Sequence, residues 1–262
     1  MSGSGGITPL ESVVMRDRLW VAGGLISVVA LFWAWLVPAA IDMQGDMSGL
    51  AAWMMRPTED VRYVLLLFAM WTVMMAGMML PSAAPTLLLY GRVVRSDAAT
   101  GSAVPRVYAF GAGYLIAWSV FSIAATLLQW ALREAALLTP MMRTANTALA
   151  GSLLIVGGAY QWTPMKRACL TRCRSAASFI SQQWRPGIAG AIRMGFRHGL
   201  DCLGCCWALM LLLFVGGVMS LPWIAALTAI VLLEKAAPFG PRIAQACGVF
   251  LVGAGLLTLF RG

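Results

Sequence analysis

Residues 198–220 read HGLDCLGCCWALMLLLFVGGVMS, and no residue from Leu203 onward in that stretch is charged. A helix needs about 20 largely apolar residues to cross the hydrocarbon core of a bilayer, and this run has that length. Its start carries His198, Asp201, Cys202, Cys205 and Cys206. Ionisable and ligand-type groups are costly at membrane depth, so their presence there is a functional signal. Residues three and four apart share a helix face. His198, Cys202, Cys205 and Cys206 therefore form one stripe, continued by Met210. Cys205 and Cys206 are adjacent and diverge by about 100° around the axis. The four groups cannot all converge on one ion, and another helix must complete any site. Thiolate and thioether sulfur select Cu(I) over harder divalent ions. Buried free cysteines also serve as small hydrophobes. Three of them in five residues, a turn from the chain's only histidine, weigh toward metal or thiol chemistry.

The rest of the chain extends the membrane reading. It is 60% apolar and 11% charged, with a mean hydropathy of +0.81, whereas soluble domains carry about 25% charge. The expected fold is an all-α, polytopic membrane helical bundle. Candidate spans lie near 19–38, 62–90, 107–131, 147–162, 198–220, 222–236 and 243–260. The first follows Arg16 and Arg18 like a signal peptide but exceeds a cleaved signal core in length, so it reads as a retained helix. Pro81 and Pro85 predict a kink or break in the second. The net charge of +9 lies mostly in short loops, where it reports topology rather than nucleic-acid binding. Lys166, Arg167, Arg172, Arg174, Arg185 and Arg193 fill the 161–197 connection, while Asp42, Asp46, Glu59 and Asp60 fill the first. About seven transmembrane helices with a cytoplasmic N-terminus satisfy the positive-inside rule. The organisation expected is a polar segment at 1–18 and one membrane domain at 19–260, with a basic cytoplasmic loop at 161–197. Gly111, Gly113, Gly151, Gly157 and Gly158 read as close-packing positions between helices.

With that orientation the second span runs inward and the fifth starts from the same side, so two sulfur-rich motifs arrive at one depth. Met70, Met74, Met75, Met78 and Met79 line the second span. Methionine fills irregular cores well, but thioethers also bind Cu(I) without deprotonation. The 75–79 face is the natural donor to complete the cysteine stripe. Met43, Met47, Met54 and Met55 add a methionine-rich outer loop. Cys169 and Cys173 share a helix face in the basic loop, where the surrounding cations would favour reactive thiolates. They mark a secondary metal or thiol site, or else incidental cysteines on a basic helix lying on anionic lipid. Asp201 reads as an ion-pair partner of Arg197, and Glu234 of Arg193 or Arg197. Cys247 is isolated and reads as packing. Six cysteines facing a reducing compartment are no disulfide scaffold. One histidine excludes poly-histidine metal centres. There is no phosphate-binding glycine loop, no Gly-x-Ser-x-Gly elbow and no paired-carboxylate site, so the balance falls on a non-enzymatic role.

The blocks Met70-Trp71-x₂-Met74-Met75-x₂-Met78-Met79-Leu80-Pro81-Ser82, Gln161-Trp162-Thr163-Pro164-Met165-Lys166-Arg167-Ala168-Cys169, Gly195-x₂-His198-Gly199-x₂-Cys202-x-Gly204-Cys205-Cys206-Trp207 and Glu234-Lys235 resemble a bacterial family of predicted metal-binding integral membrane proteins. That family is classed as a domain of unknown function and sometimes labelled a copper chaperone. The resemblance covers about residues 60–260, with the cysteine block the most specific part. It implies a multi-pass protein of the bacterial inner membrane that binds metal, and it supplies no reaction. The leading expectation is a Cu(I) site formed by Cys202, Cys205, Cys206, His198, Met75, Met78 and Met79, serving a membrane or periplasmic cuproenzyme. The alternatives are a non-catalytic accessory subunit of a larger membrane complex and a thiol-redox membrane protein.

Overall fold

The computed structural model describes residues 61–96, 103–139 and 142–261, with scattered helical residues between 23 and 41. The polar 1–18 segment, the acidic first connection, Met43, Met47, Met54, Met55 and much of the expected first span lie outside the described residues. Among the described residues the chain is helical apart from turns and one isolated bridge, Leu138 to Thr144. The helices are α1 (Val61–Ser96), α2 (Val104–Glu134), α3 (Thr147–Tyr160), α4 (Pro164–Arg174), α5 (Ala176–Gln183), α6 (Gly187–Leu211), α7 (Leu213–Gly216), α8 (Leu221–Ala236) and α9 (Gly240–Arg261). Helices α4 and α5 occupy much of the expected basic loop.

Four helices are long and apolar enough to cross a membrane, namely α1, α2, the α6–α7 run Gly187–Gly216, and α9. The expected count of about seven is therefore not met among the described residues. The physical reason is length. Helix α3 has 14 residues and α8 has 16, short of the roughly 20 a span requires.

Helix α1 runs for 36 residues through Pro81 and Pro85 without a break, where a kink or a break was expected. The turn the prolines loosen is tied to its surroundings. Tyr114 of α2 and Ser82 both donate to the Met79 carbonyl, at 3.1 and 2.7 Å. At the other end, Trp71 Nε1 donates to Gln129 Oε1 at 2.6 Å, locking α1 to α2.

The tightest seam joins α2 to α6. A Cβ on Gly113 would overlap the Ile192 carbonyl, one on Gly195 the Phe110 carbonyl, and one on Gly199 the Ala117 methyl. Gly195 and Gly199 are four apart on one face, the spacing that lets two helix backbones touch. A second glycine seam joins α3 to α9, where Gly151 meets Gly255 and Gly158 meets the Gly248 carbonyl. Gly157 abuts Leu212, but Gly111 has no neighbour closer than Leu87 at 3.9 Å. It is not a close-packing position.

Helix directions follow from the polar contacts. Thr144 N donates to the Phe214 carbonyl at 2.8 Å, so α3 starts beside the end of the α6–α7 run. It ends where the Tyr160 hydroxyl donates to the Gly204 carbonyl, midway along α6. There Thr163 caps α4, its hydroxyl accepting from Lys166 N with Pro164 in the first turn, a strong helix-start signal. Helix α4 continues past Cys169 at Gly204 to Arg172 at Asp201. Helices α3 and α4 thus run in succession antiparallel to α6, broken at residues 161–163. Helix α8 starts near Leu212, whose carbonyl accepts from Trp223 Nε1, and ends beside Ser82 and Cys202.

Candidate metal centre

The stripe on α6 is fully interior: His198, Cys202, Cys205 and Cys206 are all buried. Cys205 and Cys206 each donate a thiol proton to the Cys202 carbonyl, at 3.0 and 2.9 Å. The Cys206 sulfur lies 4.0 Å from Met79 Sδ, which joins α1 to the cluster. Met75 and Met78 are equally buried on α1, but among the described residues only Met79 has a recorded contact with a cysteine sulfur. Met70 and Met74 are buried too, Met74 a turn from Met78 and well inside the core.

Two groups converge on Cys202. Its sulfur lies 2.9 Å from Lys235 Nζ, at the end of α8, and 3.0 Å from the Tyr114 hydroxyl of α2. Lys235 also donates to Ser82 Oγ at 2.8 Å. The Tyr114 hydroxyl has one proton and two partners in reach, the Met79 carbonyl and the Cys202 sulfur. One turn of α1 is thereby tied to both α2 and α8.

The structure also redistributes the pair in the basic loop. Cys173 lies beside Cys202 and Cys205 and is buried on the inner face of α4, along with Lys166 and Leu170. It belongs to the α6 cluster rather than to a separate place. Cys169 sits over Gly204, where no side chain stands in its way, and is only half-buried. Burial raises the Cys169 thiol pKa, and the nearby Asp201 and Cys205 add to it, outweighing Arg172 and Arg197. Cys173 is also held up, first by the neighbouring Cys202 and Cys205 thiols, then by burial. The loop cations were expected to lower both thiols; burial and the neighbouring sulfurs push them the other way.

His198 lies one turn from Cys202 inside a box of rings, with Phe179, Tyr114 and Phe110 centroids at 5.0, 5.9 and 6.0 Å. Among the described residues its Nδ1 has no hydrogen-bond partner. The expected ion pairs change partners. Asp201 pairs with Arg172 of α4 at 3.6 Å, with Arg197 a more distant influence. Glu234 pairs with neither Arg193 nor Arg197 but with Lys166, at 2.6 Å and almost wholly out of solvent. Arg174 closes the same end of α8, donating to the Glu234 and Pro238 carbonyls at 2.7 and 3.3 Å. In both cases α4 comes between α6 and α8, a proximity that loop sequence alone does not reveal.

As they stand, these thiols are hydrogen-bonded rather than converged. Among the described residues no group of three or more His, Cys, Asp or Glu side chains is arranged to hold a metal ion. The donor chemistry nevertheless fits a soft monovalent ion: four thiols and a thioether, with no carboxylate contacting them directly. Tyr114 and Lys235 are the site-lining residues that ligand-type reasoning missed. For Lys235 a signal existed, since an ammonium at the end of an apolar helix needs a partner. For Tyr114 there was none beyond a hydroxyl in an apolar helix.

Four helices of membrane-spanning length, three of which (α1, α2 and α6) border a buried cluster of sulfur atoms, define a helical membrane-type protein with a sulfur-lined interior. Residues 68–258 match the family described as PpoB2, copper chaperone, and the chain belongs to that family. No curated protein and no solved structure matches it.

Proposed function

We propose that the protein is a multi-pass protein of the bacterial inner membrane that binds Cu(I) and passes it to a membrane or periplasmic cuproenzyme, or into its assembly. The observation that carries this reading is the meeting of sulfur from three separate elements: Met79 of α1, Cys173 of α4, and Cys202, Cys205 and Cys206 of α6. Packing alone gives no reason for soft donors from three helices to collect at one buried point beside a lysine. The family's description as a copper chaperone supports the choice of metal. Cys173, Cys202 and Cys205 are the principal ligands, Cys206 and Met79 complete the set, and Met75, Met78 and His198 back it. Cys169, half-buried a turn from Cys173, is the point at which an ion is first taken up. Copper here is cargo. The thiols exchange it without a change in its oxidation state.

The test is copper content of the purified protein under reducing conditions, beside a Cys202/Cys205/Cys206 triple serine variant. About one Cu(I) per chain, lost in the variant, supports the reading, and metal-free wild type refutes it. A thiol-redox role is the second reading, favoured by Cys173 touching Cys202 and Cys205 from a different helix. A Cys173 disulfide trapped in cells by rapid alkylation would favour that role over copper transfer.

A further inference from the structure

A cation already occupies the sulfur cluster. Lys235 Nζ stands 2.9 Å from the Cys202 sulfur and 2.8 Å from Ser82 Oγ, and Cys173, Cys205 and Cys206 all lie within its electrostatic reach. An ammonium has three N–H groups and no acceptor capacity, so it must be surrounded by acceptors. The groups that surround it here are those that would surround a soft metal ion. Its stem is partly exposed, and it lies at the last turn of α8, next to Arg174 of the basic helix α4. Long basic side chains readily carry their charge out to water from such a position.

We propose that Lys235 is the resident counter-cation of the site, and that a soft metal ion loads by exchange, entering the sulfur cluster as the lysine head swings out to the basic face. The proposal rests on the copper reading above. The ammonium and a metal ion compete for the same sulfur acceptors, each ligating thiol gives up its proton to solvent as the ion binds, and the lysine has an exit whereas the thiols do not. The exchange has a structural purpose. In the empty state the ammonium holds Cys202 and Ser82, and so α6 and α1, at the spacing the ion needs. The backbone beneath it is fixed while the head moves, because the Glu234 side chain is held by Lys166 and its carbonyl by Arg174. A bound ion is thereby reported at the surface by a newly exposed lysine head, beside the helix that carries Cys169 and Cys173.

The test uses full-length protein in detergent, with Ag(I) and Cu(I) as probes under reducing conditions. Acylation of Lys235 by a water-soluble activated ester, read by mass spectrometry, should be slow in empty protein and rise about tenfold or more on loading, as expected when a minor exposed state becomes dominant. Lys235→Leu should tighten Ag(I) binding by about tenfold, because the internal competitor is gone. Lys235→Arg, which keeps the charge, should not tighten it. If Lys235→Leu weakens metal binding and Lys235 stays protected in loaded protein, the lysine is a retained partner of the metal-bound thiolate and the exchange is wrong while the copper site stands. If wild type binds neither ion, the copper reading and the exchange fall together. Should the leucine variant not fold, the acylation measurement on wild type decides alone.

Discussion

Cys173 changes the meaning of the cysteines around it. Read along the chain it belongs to a basic loop, 29 positions before Cys202 (202 − 173); in the fold it lies beside Cys202 and Cys205. Cys173→Ser should therefore weaken Cu(I) binding about as much as Cys202→Ser, by roughly 10–100-fold, the range seen when a metal's immediate support is removed. Cys247→Ser, in α9, should leave it unchanged. Competition with a chromophoric Cu(I) chelator measures all three. Cys169 gives a second check. Only the thiolate reacts with alkylating reagents, and burial places this thiol's pKa above the ordinary value. Its alkylation in metal-free protein should be slow at neutral pH and climb steeply only as pH rises past the usual thiol range. Fast labelling at neutral pH would mean that the arginines win instead. The soft-ligand residues were legible because they announce themselves by type. Tyr114 was not, because its role depends on where its side chain ends rather than on what it is, and Lys235 announced only that it needs a partner, not which one.

At the scale of elements, two devices hold the ligands in place. One is the Lys166–Glu234 pair, which fixes α4 to α8 with both side chains nearly absent from the surface. Removing one partner of such a pair leaves an uncompensated buried charge, at a cost of about 3–5 kcal/mol, whereas replacing both with apolar groups is often neutral. Lys166→Met should accordingly lower the unfolding temperature in detergent, and Lys166→Met with Glu234→Leu should recover most of the loss. The other device is the α2–α6 seam. Gly195→Ala drives a methyl into the Phe110 carbonyl, and overpacking of this kind costs about 1–3 kcal/mol. Because the seam sets Tyr114 against Cys202, the same variant should also weaken metal binding, while Gly111→Ala, whose methyl would meet Leu87 at ordinary van der Waals distance, should do neither. Hydropathy located the long helices well. It placed α3 within two residues of its ends but counted it as a span, although its 14 residues fall short of the roughly 20 needed. At Pro81 the helix continues, because proline removes one donor and a long, well-packed helix does not have to end there.

For the molecule as a whole, the directions of the helices matter more than their number. The ends of α4 and α8 meet the middle of α1 and the second half of α6 around one cluster, with the basic side chains of α4 beside it. If positive charge marks the cytoplasmic face, the sulfur cluster opens toward the cytoplasm and copper enters from there. Ser181, exposed on α5, tests this directly as Ser181→Cys on a Cys169→Ser background, where the remaining cluster thiols are buried. A membrane-impermeant maleimide should label inverted membrane vesicles and leave intact spheroplasts unlabelled. Labelling of intact spheroplasts would place α4, α5 and the cluster on the outer side. Ions would then be taken from the periplasm, and the basic helix would face the compartment where the positive-inside rule does not expect it. The contacts within the cluster would be unaffected, so the result separates the direction of transfer from the existence of the site.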